Sequence, residues 1–338
     1  MQKISDFINQ ALFDPASGYY RTKNPIGKNS DFITAPEISQ VFGEILAAYF
    51  VQISTAKKSK IAFVEMGAGK GTLFCDILNS IRKLAEKNIA QAFDFLERTT
   101  FNIIEINPVL QKIQQESLRQ FHLNWHENFS EFLAQNHDKE IFFLSNELFD
   151  CYPIDQFVLT EIGWCERMVK DKKFILADFD KKIHEFVAEE IKVLAPIGAV
   201  FEYNKAAREF ITQLCQALKT QGGIAINIDY GYSENKFLNT LQAIKNHQKV
   251  DVLQNPAEAD ITALVDFLSL QKIVEKSGLN SSLISQKEFL ISLGVEERRR
   301  ILIEKNPMQK SEINSAIDRL IDSNQMGELF KCLIIWDK

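Results

Sequence analysis

Ile4, Phe7, Ile8, Ala11 and Leu12 return at steps of three and four, which predicts an amphipathic helix over residues 4 to 13, halted by Asp14-Pro15-Ala16-Ser17-Gly18. Gly18, Pro25 and Gly27 predict a loop beyond it. Pro36 stands ahead of an acid and a helical pattern running to Phe50, so a helix entered at its first turn is expected, with Val41, Ile45, Ala48 and Tyr49 on its apolar face. At Lys60 the period changes. Ile61-Ala62-Phe63-Val64-Glu65 is a β-branched and aromatic run closed by an acid, Met66 to Thr72 is glycine-rich, and Leu73 onward returns to helical spacing. That is strand, glycine turn, helix. Phe101 to Pro108 repeats the strand-then-acid form ahead of a helical stretch, and Ile141 to Asp150 and Gly222 to Gly231 add two further strands. Strands alternating with helices predict an α/β fold with a mostly parallel sheet flanked by helices.

Between the last two strands, Gln156 to Lys170 and Lys173 to Phe179 are strand-like, followed by an acidic patch and a helix near residues 203 to 220. An inserted hairpin and helix region over about 155 to 205 is therefore expected, on the ligand side of the sheet. In the tail, Leu264 to Gly278 predicts a helix, residues 288 to 293 a short strand or helix, and Leu329 to Trp336 a last strand. The expected division is a helical lid segment over residues 1 to 58 and a core over residues 59 to 338.

Hydrophobic residues at 46% and charged residues at 25% of 338 suit a soluble globular chain and exclude a disordered or fibrous one. The net charge of -6 lacks the basic footprint that phosphate backbones require, so nucleic acid is not an expected partner. Five cysteines with no CxxC pair argue against a disulfide framework and a zinc ribbon. No apolar run approaches the roughly 20 residues of a membrane span. The first residues carry neither an apolar h-region nor an Arg-rich transit pattern, so no targeting segment is expected. A cytoplasmic location follows, or the mitochondrial matrix only if a transit peptide is missing from this chain.

Glu65 to Thr72 follows a strand and opens a helix, where glycines let the backbone approach a ligand and aim amides at it. A tight turn without a ligand is the plainer alternative. Lys70 precedes Gly71-Thr72 without P-loop spacing, which disfavours a nucleoside triphosphate. Glu105, closing the second strand, can accept both ribose hydroxyls of an adenine nucleoside, or can serve as a helix N-terminal charge beside Asn107-Pro108. An acid at Glu65, just ahead of Gly67, Gly69 and Gly71, would repel a pyrophosphate and suits a cationic aminoacyl end. S-adenosylmethionine is therefore favoured over NAD.

Asn146, Glu147 and Asp150 lie at the carboxyl end of another strand, where open α/β sheets bind substrates, and supply acceptors for a cationic or amide nucleophile. Capping of a following helix is the alternative for Asn146 and Asp150. Asp229 to Tyr232 lines a substrate mouth or makes a structural turn. His122 and His126, four apart, would share a helix face but lack a third ligand, so no metal is expected. Arg298-Arg299-Arg300 is read as a solvated helix face.

Seven segments, Asp14–Tyr20, Asp31–Glu44, Glu65–Leu73, Asn146–Phe157, Ile228–Tyr232, Glu258–Phe267 and Met326–Lys331, together resemble the MidA family from end to end. These are bacterial and mitochondrial S-adenosylmethionine-dependent proteins, whose mitochondrial member is an arginine methyltransferase acting in respiratory complex I assembly. The resemblance implies a class I (Rossmann-like) methyltransferase fold, with Gly67, Gly69 and Gly71 against the cofactor and Glu105 on its ribose. It implies that Asn146 to Asp150 sits beside the methyl group and holds the nucleophile, and that Asp31 to Glu37 folds over the cofactor as a lid. A protein substrate, specifically a complex I subunit, is the implied partner, and Glu147 and Asp150 would bind an acceptor guanidinium. The sequence departs from the family at Ser30, at Ala68 and Lys70, and at Asn239, Ala257 and Lys287, which replace glycines. The alternative function is a non-catalytic assembly factor built on the same fold. No Lys/Tyr or His/Asp pair is placed for a dehydrogenase.

Overall fold

The computed structural model describes residues 1 to 22, 35 to 56, 58 to 191 and 193 to 337. Ser30 and the Asp31 to Thr34 part of the expected lid lie outside the described residues. The chain opens with a two-residue strand, β1 (Gln2–Lys3), and runs straight into α1 (Ile4–Phe13), which buries the five apolar positions of the expected stripe. Asp14 accepts from the backbone of Ala16 and Ser17, an Asx turn that stops α1 and leads to α2 (Tyr19–Thr22). The single helix expected from Pro36 is two. Pro36 belongs to the short α3 (Ala35–Ile38), and Ser39, extended at φ -156°, caps α4 (Gln40–Ser54) through Val41 N.

The apolar face of α4 also differs from the expectation. Ala48 is exposed, whereas Phe42, Leu46 and Phe50 are buried. The reason is double packing: α4 lies on the sheet and against α5 (Thr72–Glu86), close enough that a Cβ on Gly43 would stand 2.6 Å from Asp76 Cβ. One stripe cannot serve two neighbours.

β2 (Ile61–Met66) leads through the glycine turn to α5, and α6 (Ala90–Arg98) returns the chain to β3 (Thr99–Ile104). α7 (Pro108–Ser117) is capped by Asn107 and crosses to β4 (Leu123–His126). His126 is thus a strand residue, buried and bonded through Nε2 to Asn102 Oδ1 at 3.0 Å, and does not share a helix face with His122. No cluster of metal-ligating side chains occurs among the described residues. α8 (Phe129–Gln135) then precedes β5 (Glu140–Asn146).

The insertion is larger than a hairpin. β6 (Asp155–Thr160), β7 (Gly163–Lys170) and β8 (Lys173–Leu176) form a meander, α9 (Lys181–Ile191) covers it, and β9 (Val200–Tyr203) returns beside β6. β1 pairs antiparallel with β7, and Ser5 N donates to Asp155 Oδ1 at 3.2 Å, so the first residues belong to this sheet. α1 packs its stripe with Ile154, Val169, Ala243 and Ile261. The described residues before β2 therefore serve two cores: α1 one shared chiefly with the β11–β13 region, α4 that of the central sheet.

After α10 (Lys205–Gln221), β10 (Gly223–Tyr232) enters the centre of the molecule. A small antiparallel sheet follows, β11 (Gln242–Lys245), β12 (Gln248–Val250) and β13 (Asp260–Thr262), then β14 (Val265–Asp266) beside β10. The tail comprises α11 (Phe267–Ser277), β15 (Asn280–Ser285), α12 (Gln286–Ser292), α13 (Val295–Lys305), α14 (Lys310–Ile321), α15 (Met326–Leu329) and β16 (Phe330–Trp336). The segment at 288 to 293 resolves as helix, with Ser285 and Glu288 making a capping box. Arg298 and Arg299 are tied to Glu44 and Asp318, both at 2.7 Å.

The central sheet runs β15-β16-β10-β5-β2-β3-β4. β10, β5, β2, β3 and β4 are mutually parallel, and β16 pairs antiparallel on both sides. Side-chain alternation divides its two faces. Ile61, Phe63, Phe142, Leu144 and Ile226 meet α4, α5, α6, α12 and α14, while Ala62, Val64, Ile141, Phe143 and Ala225 meet α8, α10 and α11. With both faces covered, the parallel strands are near-continuously apolar until their carboxyl ends, where polar residues cluster. No helix among the described residues is long and apolar enough to cross a membrane.

Candidate active site

The glycine turn leaves β2 with Gly67, Gly69 and Gly71 at φ 73°, 55° and 79°, a region L side chains rarely adopt. A Cβ on Gly67 would also stand 2.9 Å from Leu148 Cδ1. Backbone alone fits there. Gln114 fastens the turn from α7 by donating to Gly69 O at 2.8 Å and to Glu105 Oε2 at 3.0 Å. Glu105 Oε1 accepts from Asn107 N at 2.8 Å, so this carboxylate does engage the backbone at the start of α7 while lining a cleft. Burial raises it to about 7. Glu65 is 2% exposed, and burial, then the charge of Glu105, raise it to about 8. Its Oε2 has no hydrogen-bond partner among the described residues.

Asn146 ends β5, and Glu147 turns away from it in the left-handed region at φ 53°. A non-glycine residue held there by surrounding bonds marks a site that over-determines its backbone. Glu147 N donates to Ile228 O at 2.9 Å, and its Oε1 accepts from Asn146 Nδ2 at 3.2 Å and Ala35 N at 3.4 Å. Burial, then the charge of Asp150, raise Glu147 to about 8. Asn146 Oδ1 is buried without a partner among the described residues.

Asp229 is the strut of this turn. Its Oδ2 accepts from Leu148 N, Phe149 N and Asp150 N at 3.0, 2.8 and 3.2 Å. The phenol of Tyr230, next on β10, donates to Asp150, whose pKa burial raises to about 6. Neither Asn146 nor Asp150 caps a helix, because the chain passes from this turn into β6.

A cleft runs over Gly67 and Gly69 from Glu105 to Asp150 and Asp260, walled by Phe13, Tyr20 and Tyr230. A second cleft meets it at Gly67, Gly69 and Glu147 and continues past Glu65 and Asn146 to Pro36 and Glu37. The structure thus brings together all eight residues singled out in the sequence, Glu65, Gly67, Gly69, Gly71, Glu105, Asn146, Glu147 and Asp150, with Gly71 capping α5 immediately beneath. Among the described residues of 155 to 205 none lines either cleft; the insertion acts at one remove by pairing β7 with β1, which leads into α1 and Phe13. Sequence reasoning missed Gln114, Tyr20 and Asp260. The last two lie inside segments that carried the family resemblance, and Gln114 left no signal within its helical stretch.

Residues 45–285 match the family model described as "Putative S-adenosyl-L-methionine-dependent methyltransferase". The chain belongs to this family. Its members use S-adenosyl-L-methionine as methyl donor. The chain is 30% identical to protein arginine methyltransferase NDUFAF7 of Danio rerio, over 97% of this chain and 82% of that one. The human protein of the same name is 28% identical, over 97% and 78%. A crystal structure from Burkholderia thailandensis bound to S-adenosyl-homocysteine superimposes with a TM-score of 0.83 at 25% identity, over 99% of this chain and 87% of that one. The expected class I methyltransferase architecture, a mostly parallel sheet flanked by helices, is therefore the one observed. The donor set also fits the cofactor. Side-chain-free backbone follows β2, and two buried acceptors, Glu65 Oε2 and Asn146 Oδ1, lack partners among the described residues beside it.

Proposed function

We propose that the chain is a protein arginine N-methyltransferase that acts in the cytoplasm on a subunit of respiratory complex I and supports assembly of that complex. The observation that carries the arginine reading is a cleft lined by Glu147 and Asp150, with no lysine or arginine among its described lining residues. Buried carboxylates without a cation are costly, and a guanidinium supplies both the missing charge and N–H donors. The names of the mitochondrial relatives support the same acceptor.

S-adenosyl-L-methionine supplies an electrophilic methyl group on a sulfonium. In this reading Gly67, Gly69 and Gly71 hold the nucleoside by backbone approach, Glu105 takes its ribose hydroxyls, and Glu65 and Asn146 receive its aminoacyl end. Methyl transfer asks mainly for positioning of the nucleophile. Glu147 and Asp150 orient the guanidinium through charge-assisted bonds, and its positive charge draws both toward their ionised forms. Glu147, ionised by the bound acceptor, takes the proton that the alkylated nitrogen releases.

The decisive experiment compares complex I subunits from cells with and without this gene by mass spectrometry. Methylarginine that disappears with the gene and returns with purified enzyme and methyl donor is expected. Normal cofactor binding with no methylated protein would leave only the assembly-factor function.

A further inference from the structure

A fourth carboxylate, after Glu105, Glu147 and Asp150, lines the cleft from a part of the chain far beyond the glycine turn, β3 and β5. Asp260 opens β13 and is 3% exposed. Its Oδ1 accepts from Tyr20 Oη at 2.8 Å, and its charge bears on Tyr20, Cys151 and Tyr230 around the cleft. The rings of Phe13 and Tyr20, stacked on each other at 5.8 Å with an interplanar angle of 18°, line the same cleft. The space is therefore lined by carboxylates and by aromatic rings. A separate sign of a ligand lies in the adjoining cleft, where Asn146 is 8% exposed and its Oδ1 is unpartnered among the described residues.

We propose that Asp260 is an acceptor-binding carboxylate, which with Asp150 and Glu147 completes an anionic socket holding the guanidinium of the substrate arginine beside the rings of Phe13 and Tyr20. The inference rests on the arginine reading and goes beyond it by naming the residue that selects the acceptor. A guanidinium carries five N–H donors in one plane and can serve several carboxylates while stacking on a ring. An ammonium has three donors and no flat face. Asp260 reaches the site from beyond the insertion, on a strand separate from the one that leads into the glycine turn.

The test measures binding of n-butylguanidine, a monocationic guanidinium probe, and of n-butylamine to the full chain saturated with S-adenosylhomocysteine. The wild type should bind n-butylguanidine more tightly than n-butylamine. Asp260→Asn should weaken n-butylguanidine about tenfold or more while leaving S-adenosylhomocysteine affinity and the melting temperature nearly unchanged. Asp260→Glu should restore part of the loss, and Tyr20→Phe, which keeps the carboxylate, should lose less than Asp260→Asn. If Asp260→Asn binds n-butylguanidine like wild type, or if Tyr20→Phe reproduces its whole loss, the role of Asp260 is overturned and the arginine reading stands. If the wild type binds S-adenosylhomocysteine but shows no preference for n-butylguanidine, the arginine reading itself falls.

Discussion

Glu147 holds its carboxylate in the cleft, where it accepts from Ala35 N, at the cost of a left-handed backbone, φ 53°, pinned by Ile228 O. Two substitutions separate these properties. Glu147→Gln keeps size and removes charge, so S-adenosylhomocysteine binding should survive while methyl transfer in a single-turnover assay drops by about 100-fold or more. Glu147→Gly removes the side chain and relaxes the backbone. Its thermal unfolding should show unchanged or higher stability, by up to about 1 kcal/mol, with activity lost. A similar strain sits at Ala257, φ 67°, where the MidA family usually carries glycine. Ala257→Gly should gain a few tenths to about 1 kcal/mol in denaturant unfolding, the relief of strain exceeding the added freedom of the unfolded chain.

At the scale of elements, the site depends on helices that never touch the methyl group. Leu12 of α1 is fully buried in the cluster that α1 shares with the β11–β13 region, and α1 carries Phe13 to the cleft. Leu12→Ala should cost about 2–5 kcal/mol locally, and its kinetic mark should be a raised KM for the acceptor with cofactor affinity unchanged. Much of this layout was legible beforehand. β2, β3, β5 and β10 announce themselves as apolar runs ending in Glu65, Glu105, Asn146 and Asp229, because a parallel strand covered on both faces stays apolar until its carboxyl end. β4 was not legible, since its four residues include Asn124 and His126, which are polar for a reason visible only in space: both bond to Asn102 on the neighbouring strand. The break between α3 and α4 was hidden because Ser39 caps a helix inside what reads as one continuous period. In the site, Glu147 and Asp150 were legible from their place at a strand end. Asp229 was not legible as a strut, because side-chain bonds to three successive backbone amides leave no spacing to read.

For the whole molecule, the buried acids set a pH dependence. Glu65 and Glu147 are raised from the ordinary 4.5 to about 8 and Glu105 to about 7, all chiefly by burial. In the unfolded chain these groups release their protons near 4.5, whereas the ligand-free folded protein keeps them until about 7 to 8. Folded protein then binds more protons than unfolded, so their contribution is fully present below 4.5 and is lost as pH rises toward 8. The thermal midpoint of ligand-free protein should therefore fall across that window, and Glu65→Gln should flatten the fall. A slope identical in wild type and variant would remove Glu65 from this account.

The bond from Tyr20 to Asp260 and the seating of β1 on β7 join the beginning of the chain to segments made much later. On the ribosome, the glycine turn and the strand that bears it emerge early, but the wall of the cleft built by Asp260 waits for most of translation. A nascent chain therefore has no complete cleft until β13 has been made and has met the first residues of the chain.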